Sequence, residues 1–100
     1  MKVYMKVKFG ILKGLDGNDV KNGSEYVYID KTIAQIIVTD AAKDNVLQRY
    51  ELATKLYNAN GNEVEITESE KEIIKQTINS GTLSILLAAQ ALSAMNNAYN

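Results

Sequence analysis

Lys2-Val3-Tyr4-Met5-Lys6-Val7-Lys8-Phe9-Gly10-Ile11-Leu12 is the stretch that decides the fold. Val3, Met5, Val7, Phe9 and Ile11 are apolar, while the positions between them carry Lys2, Tyr4, Lys6 and Lys8. Period-two alternation over that length puts one side of an extended chain in a core and the other in water, which predicts a half-buried β-strand.

Gly14-Leu15-Asp16-Gly17-Asn18-Asp19 and Asn22-Gly23 follow, rich in residues that suit turns and positive φ. Glu25-Tyr26-Val27-Tyr28-Ile29 is aromatic and β-branched and predicts a second strand, antiparallel to the first. Asp30 is placed as the N-cap of a helix with Ile33, Ile36 and Ile37 on its inner stripe and Thr32 and Gln35 outside.

A break is expected from Ala41 to Asp44, with Asp44 or Asn45 capping a second helix. Its apolar face is read as Val46, Leu47, Tyr50, Ala53, Leu56 and Tyr57, with Glu51 and Lys55 forming an i, i+4 pair worth roughly 0.3 kcal/mol. Asn58-Ala59-Asn60-Gly61 ends it, Gly61 being able to take the left-handed conformation. Val64 and Ile66 alternate with glutamates in a very short extended lead into a third helix. Thr67-Glu68-Ser69-Glu70 is a capping box for that helix, whose inner face is Ile73, Ile74, Thr77 and Ile78, with Gly81 as its stop. From Thr82 to about Asn96 a last helix is apolar nearly all round, and no residue after Lys75 is charged.

These elements predict an α+β fold, an N-terminal antiparallel β-hairpin packed on a bundle of about four α-helices. No repeat, low-complexity tract, proline or linker divides the chain, so residues 1–100 are expected to form one domain. A hydrophobic content of 46% is that of an ordinary globular core.

Histidine and cysteine are both absent, which removes Ser-His-Asp and Cys-His catalysis, His- or Cys-ligated metals and disulfides together. The expectation is no enzyme, no cofactor and no catalytic or metal residue. Asp16, Asn18 and Asp19 lack the remaining ligands of a calcium loop and read as a polar turn. A net charge of −1, with one arginine against ten lysines, gives no general field for nucleic acid. The alternating N-terminus is not a signal-peptide apolar run, so a cytoplasmic location is expected.

Two candidate surfaces remain. Lys2, Tyr4, Lys6 and Lys8 share one side of the first strand and form the candidate anion or ligand face, set against the simpler role of keeping a strand solvated and unaggregated. In the last helix Ser84, Leu87, Ala88, Ala91 and Met95 form the candidate partner or oligomer interface, set against burial of that helix in the chain's own core. Its apolar run is shorter than the ~20 residues a bilayer span needs, so no membrane is implied.

The Leu15-Asp16-Gly17 turn, the helix Arg49-Tyr50-Glu51-Leu52-Ala53-Thr54-Lys55-Leu56-Tyr57, the Val64-Glu65-Ile66-Thr67 entry and the closing Ala89-Gln90-Ala91-Leu92 together resemble small accessory proteins of unassigned function from tailed bacteriophages and prophages. The segment between Gly17 and Asp30 is longer than that pattern has. The resemblance implies a phage-borne accessory protein, in the cytoplasm of a bacterial host or associated with the virion, and carries over no site residue. The expected role is a non-enzymatic interaction or oligomerisation module whose partner is itself or a host or phage protein. A small-ligand, nucleotide-type binding or sequestering protein is the alternative, with nucleic-acid binding through the lysine face ranked third.

Overall fold

The computed structural model describes residues 4–39 and 44–98. Their order is β1 (Tyr4–Lys8), β2 (Lys21–Asn22), β3 (Glu25–Tyr26), α1 (Ile29–Thr39), α2 (Val46–Asn58), β4 (Glu63–Thr67), α3 (Glu68–Ile78) and α4 (Ile85–Asn96). The architecture is α+β, with N-terminal antiparallel strands packed on four helices.

The long partner of β1 is β4, which does more than lead into a helix. Met5 lies opposite Ile66 and Val7 opposite Val64, so the inner faces of both strands are apolar together. Burying side chains of this size stabilises by about 1.5–3 kcal/mol each, enough to select this register over a slipped one. The expected partner, the stretch from Glu25 to Ile29, instead pairs with the continuation of the first strand through an Ile11–Tyr28 bridge. The Leu12 amide donates to the Val27 carbonyl at 2.8 Å and the Ile29 amide to the Gly10 carbonyl at 3.1 Å. Gly10 separates the two pairings. Its φ of +74° turns the chain, so Phe9 and Leu12 are both buried while Ile11 is only partly so.

Helix α1 begins at Ile29, its first turn closed by the Thr32 amide donating to the Tyr28 carbonyl. Asp30 therefore sits inside the first turn and is not the N-cap. α2 starts after Asn45, which has a φ of 52° and makes no side-chain cap. The predicted break from Ala41 to Lys43 lies outside the described residues.

The buried residues of α2 are Leu52, Ala53 and Leu56, whereas Val46, Leu47, Tyr50 and Tyr57 are exposed. At about 100° per residue, the expected apolar face is turned roughly a quarter revolution from the real core face. Lys55 pairs with Glu70 at 2.9 Å and not with Glu51. At the start of α3 both halves of the capping box are present: the Glu70 amide donates to Thr67 Oγ1 at 3.2 Å and the Thr67 amide to Glu70 Oε1 at 2.8 Å. Ile73, Ile74, Thr77 and Ile78 are all buried.

Ile29, Ile33, Leu52, Leu56, Ile66 and Ile74 make the innermost core, contributed by α1, α2, β4 and α3. α4 lies at its edge. Only Leu87, Ala91 and Met95, one i, i+4, i+8 stripe, are buried, and Ile85 is 89% exposed.

Candidate functional site

The lysine face is a mixed-charge surface. Tyr4, Lys6 and Lys8 share the outer side of β1, and the register sets them opposite Thr67, Glu65 and Glu63. Opposite charges at directly paired positions stabilise the ladder, so the run as a whole is not a purely cationic face. Lys2 lies outside the described residues. Alternating lysines in one five-residue run and glutamates in another were the sequence signal for this pairing.

The five residues expected at an interface on α4 do not form one outer surface. Leu87, Ala91 and Met95 face the protein's own core, which corrects their placement as partner contacts. Ser84 is the N-cap, its hydroxyl accepting from the Leu87 amide at 3.2 Å, and Ala88 is partly buried. The helix is apolar nearly all round, so its periodicity is flat, but at the edge of a core it buries only one stripe.

Two surfaces that the sequence did not single out are present. The first runs along α1 and α2. Val46, Tyr50, Ala53 and Tyr57 recur at i, i+4, i+7 and i+11, and so form a stripe within about 60° of arc. Val46, Leu47 and Tyr50 are 65%, 69% and 63% exposed, and Val38 of α1 and Tyr57 are exposed beside them. A hollow of about 260 Å³ lies between the helices, with Ala34 and Val38 on one wall and Ala53, Thr54, Tyr57 and Asn58 on the other. The side chains of this stripe and hollow carry no charge. Lys31 closes one end, its ammonium 4.1 Å from the centre of the Tyr57 ring.

The second is a groove of about 590 Å³ between the end of β1, the start of α1, the turn from Asn60 to Asn62, and α4. Its framework is tied together by hydrogen bonds. Gln90 of α4 accepts from the Lys13 amide at 2.9 Å and donates to the Lys13 carbonyl at 2.6 Å. The fully buried Asp30 accepts from the Gly61 amide at 2.8 Å and from the Lys31 amide at 2.8 Å. Burial pushes the Asp30 carboxyl above its ordinary range, opposed by those two amides and the nearby Lys31 charge.

The polar turn before β2 is held by its own side chains. The Asp16 carboxylate accepts from the amide and side chain of Asn18, which lowers its pKa, and Lys13 pairs with Asp19. Among the described residues no cluster of three or more potential carboxylate ligands could hold a metal ion, and no helix is long and apolar enough to cross a membrane.

Comparison with protein-family models, with curated proteins and with solved structures found no match in any of the three.

Proposed function

We propose that this protein is a non-enzymatic interaction module that pairs with a second copy of itself through the outer face of α1 and α2. The observation that carries the reading is the uncharged stripe of Val46, Leu47, Tyr50 and Tyr57 with Val38 beside it, large side chains left in water by the fold. Their exposed area is on the order of 500 Å², the range in which a surface patch on a single chain is often functional. With the polar rim added, it approaches the roughly 800 Å² per partner of a standard interface. Aromatic enrichment and depletion of charge are the composition of an interface centre.

A two-fold partner also suits the shape. If two α2 helices cross antiparallel about Leu52, Leu47 of one copy comes level with Tyr57 of the other, beside the hollow that Ala53, Thr54 and Asn58 line. The contact is then made twice, as an isologous interface requires. An accessory role in a phage or prophage rests on the resemblance of short motifs alone, and a cytoplasmic setting fits a chain without cysteine.

Sedimentation velocity over the micromolar range tests the pairing. A dimer that becomes monomeric in Leu47→Glu and Tyr50→Glu, with circular dichroism unchanged, is the expected result. A wild-type chain that stays monomeric at high micromolar concentration overturns it, as does a dimer indifferent to both substitutions. Gene neighbourhood tests the phage setting: absence of phage genes around the coding sequence would remove it.

A further inference from the structure

The groove between β1, the Asn60–Asn62 turn and α4 is lined by no carboxylate, although the chain has twelve acidic residues. Two lysines reach it. Lys13 is already paired with Asp19, while the Lys8 ammonium makes no ion pair or hydrogen bond among the described residues. The other charges nearby are Lys31, whose ammonium lies 5.7 Å from the centre of the Tyr28 ring outside the lining, Asp30, buried behind the wall and engaged by two amides, and Glu63, across the ladder from Lys8. The lining therefore presents one uncommitted cation.

Its polar side chains divide in the same way. Gln90 and Asn60 are used in the fold, bonding Lys13 and the Asn58 carbonyl. Asn62, Ser93 and Asn97 also line the groove and make no side-chain hydrogen bond among the described residues. Ser93 near the end of α4 and Asn97, its C-cap, are four residues apart, and both line the groove together with Asn62. The floor is apolar, with Phe9, Ile29 and Ala94, and the Tyr28 ring forms part of a wall. A volume near 590 Å³ falls within the range of small-molecule sites, in which an apolar floor and a few convergent polar groups orient the ligand.

We infer that this groove binds a small phosphorylated sugar, either free or as part of a mononucleotide. One ammonium answers one phosphate, two amides and a hydroxyl answer ring hydroxyls as donors or acceptors, and the apolar floor takes the carbon face of the sugar or base. The site is independent of the α1–α2 pairing surface, since no residue belongs to both.

Calorimetric titration and thermal shift of the full chain test it, with ribose phosphate, adenosine monophosphate, inorganic phosphate and adenosine as probes. Saturable binding of ribose phosphate or the mononucleotide is expected, with a raised melting temperature. Inorganic phosphate and adenosine should each bind at least about tenfold more weakly. Lys8→Ala and Asn97→Ala should each weaken binding by roughly tenfold or more, while Lys71→Ala on α3 should not. Whichever phosphosugar binds more tightly identifies the source. No saturable binding of either at millimolar concentration overturns the inference, as does equal loss in Lys71→Ala. Both variants change exposed or surface-lining side chains, and their unliganded melting curves report any loss of folding separately.

Discussion

The Asp30 carboxylate accepts a hydrogen bond from the Gly61 amide at 2.8 Å, joining positions 31 residues apart in the chain. Asp30 is in the first turn of α1, and Gly61 is in the turn that sends the chain from α2 into β4. The bond fixes where β4 begins, and with it the register that buries Val64 and Ile66 against β1. Asp30→Ala leaves a buried amide without a partner and should cost about 1–3 kcal/mol, read as a lower urea midpoint.

Burial raises the Asp30 carboxyl above its ordinary range, so the folded state holds this proton more tightly than the unfolded chain does. Between the unfolded and folded pKa values the native state carries the extra proton, and stability falls as pH rises. The charged form at neutral pH is the less stable one. Acidifying through the folded pKa towards the ordinary aspartate value should therefore recover stability from this group. The exposed Asp16, whose pKa is lowered by Asn18, acts in the opposite sense as pH falls through its own folded value. The difference in unfolding free energy between wild type and Asp30→Asn removes that common background. It should favour wild type progressively as pH drops through the window between the two Asp30 values, and a flat difference would contradict the assignment.

Gly61 has a φ of +80°, and a Cβ added there would stand 3.1 Å from Cε1 of the Tyr28 ring and 3.6 Å from the Gly10 Cα. Gly61→Ala therefore meets both a backbone penalty and a wall. Gly23, with a φ of +69° and open space around it, meets only the first. Both alanine variants should be less stable than wild type, Gly23→Ala by about 1 kcal/mol and Gly61→Ala by more, because Tyr28 must move as well. Equal losses in paired thermal melts would mean that the ring yields without cost.

What was legible in the sequence follows from how local each signal is. The start of α3 was complete within four residues, and its inner face had one unambiguous stripe, so Thr67, Glu70, Ile73, Ile74, Thr77 and Ile78 lie where the pattern put them. Gly61 was legible for the same reason, a left-handed position just past a helix. α2 was not, because it is apolar on its core side at Leu52 and Leu56 and also on its flank at Val46, Tyr50 and Tyr57. Periodicity returns the mean of two such faces and cannot say which is covered. The surplus apolar residues are the ones that the fold leaves exposed. β1 found its partner nearly sixty residues away, a tertiary choice that no local window contains; the complementary lysines and glutamates of the two runs are the signal that the local pattern passed over. The groove gathers residues from four separate segments, so no motif could have revealed it.

Lys55 joins three elements. Its ammonium donates to both Glu70 carboxylate oxygens, at 3.0 and 2.9 Å, and to the Glu65 carbonyl at 3.0 Å on the outer edge of β4. Glu70 is at once the capping-box acid of α3 and the partner of α2, and it is largely buried, whereas Lys55 is more open to water. Lys55→Met keeps the aliphatic stem but leaves Glu70 with its charge uncompensated and the β4 edge uncovered. A loss of about 1–2 kcal/mol is expected, below that of a fully buried pair because solvent already screens the lysine. Glu51→Gln, which removes the acid four residues earlier, should stay within about 0.5 kcal/mol of wild type. A urea series in low and high salt separates the cases. The gap between wild type and Lys55→Met should narrow with salt without closing, since the hydrogen bond to the Glu65 carbonyl does not depend on the pairing of charges. If Glu51→Gln instead matches Lys55→Met, Lys55 pairs along its own helix and the tie between α2, β4 and α3 is not what holds that corner of the fold.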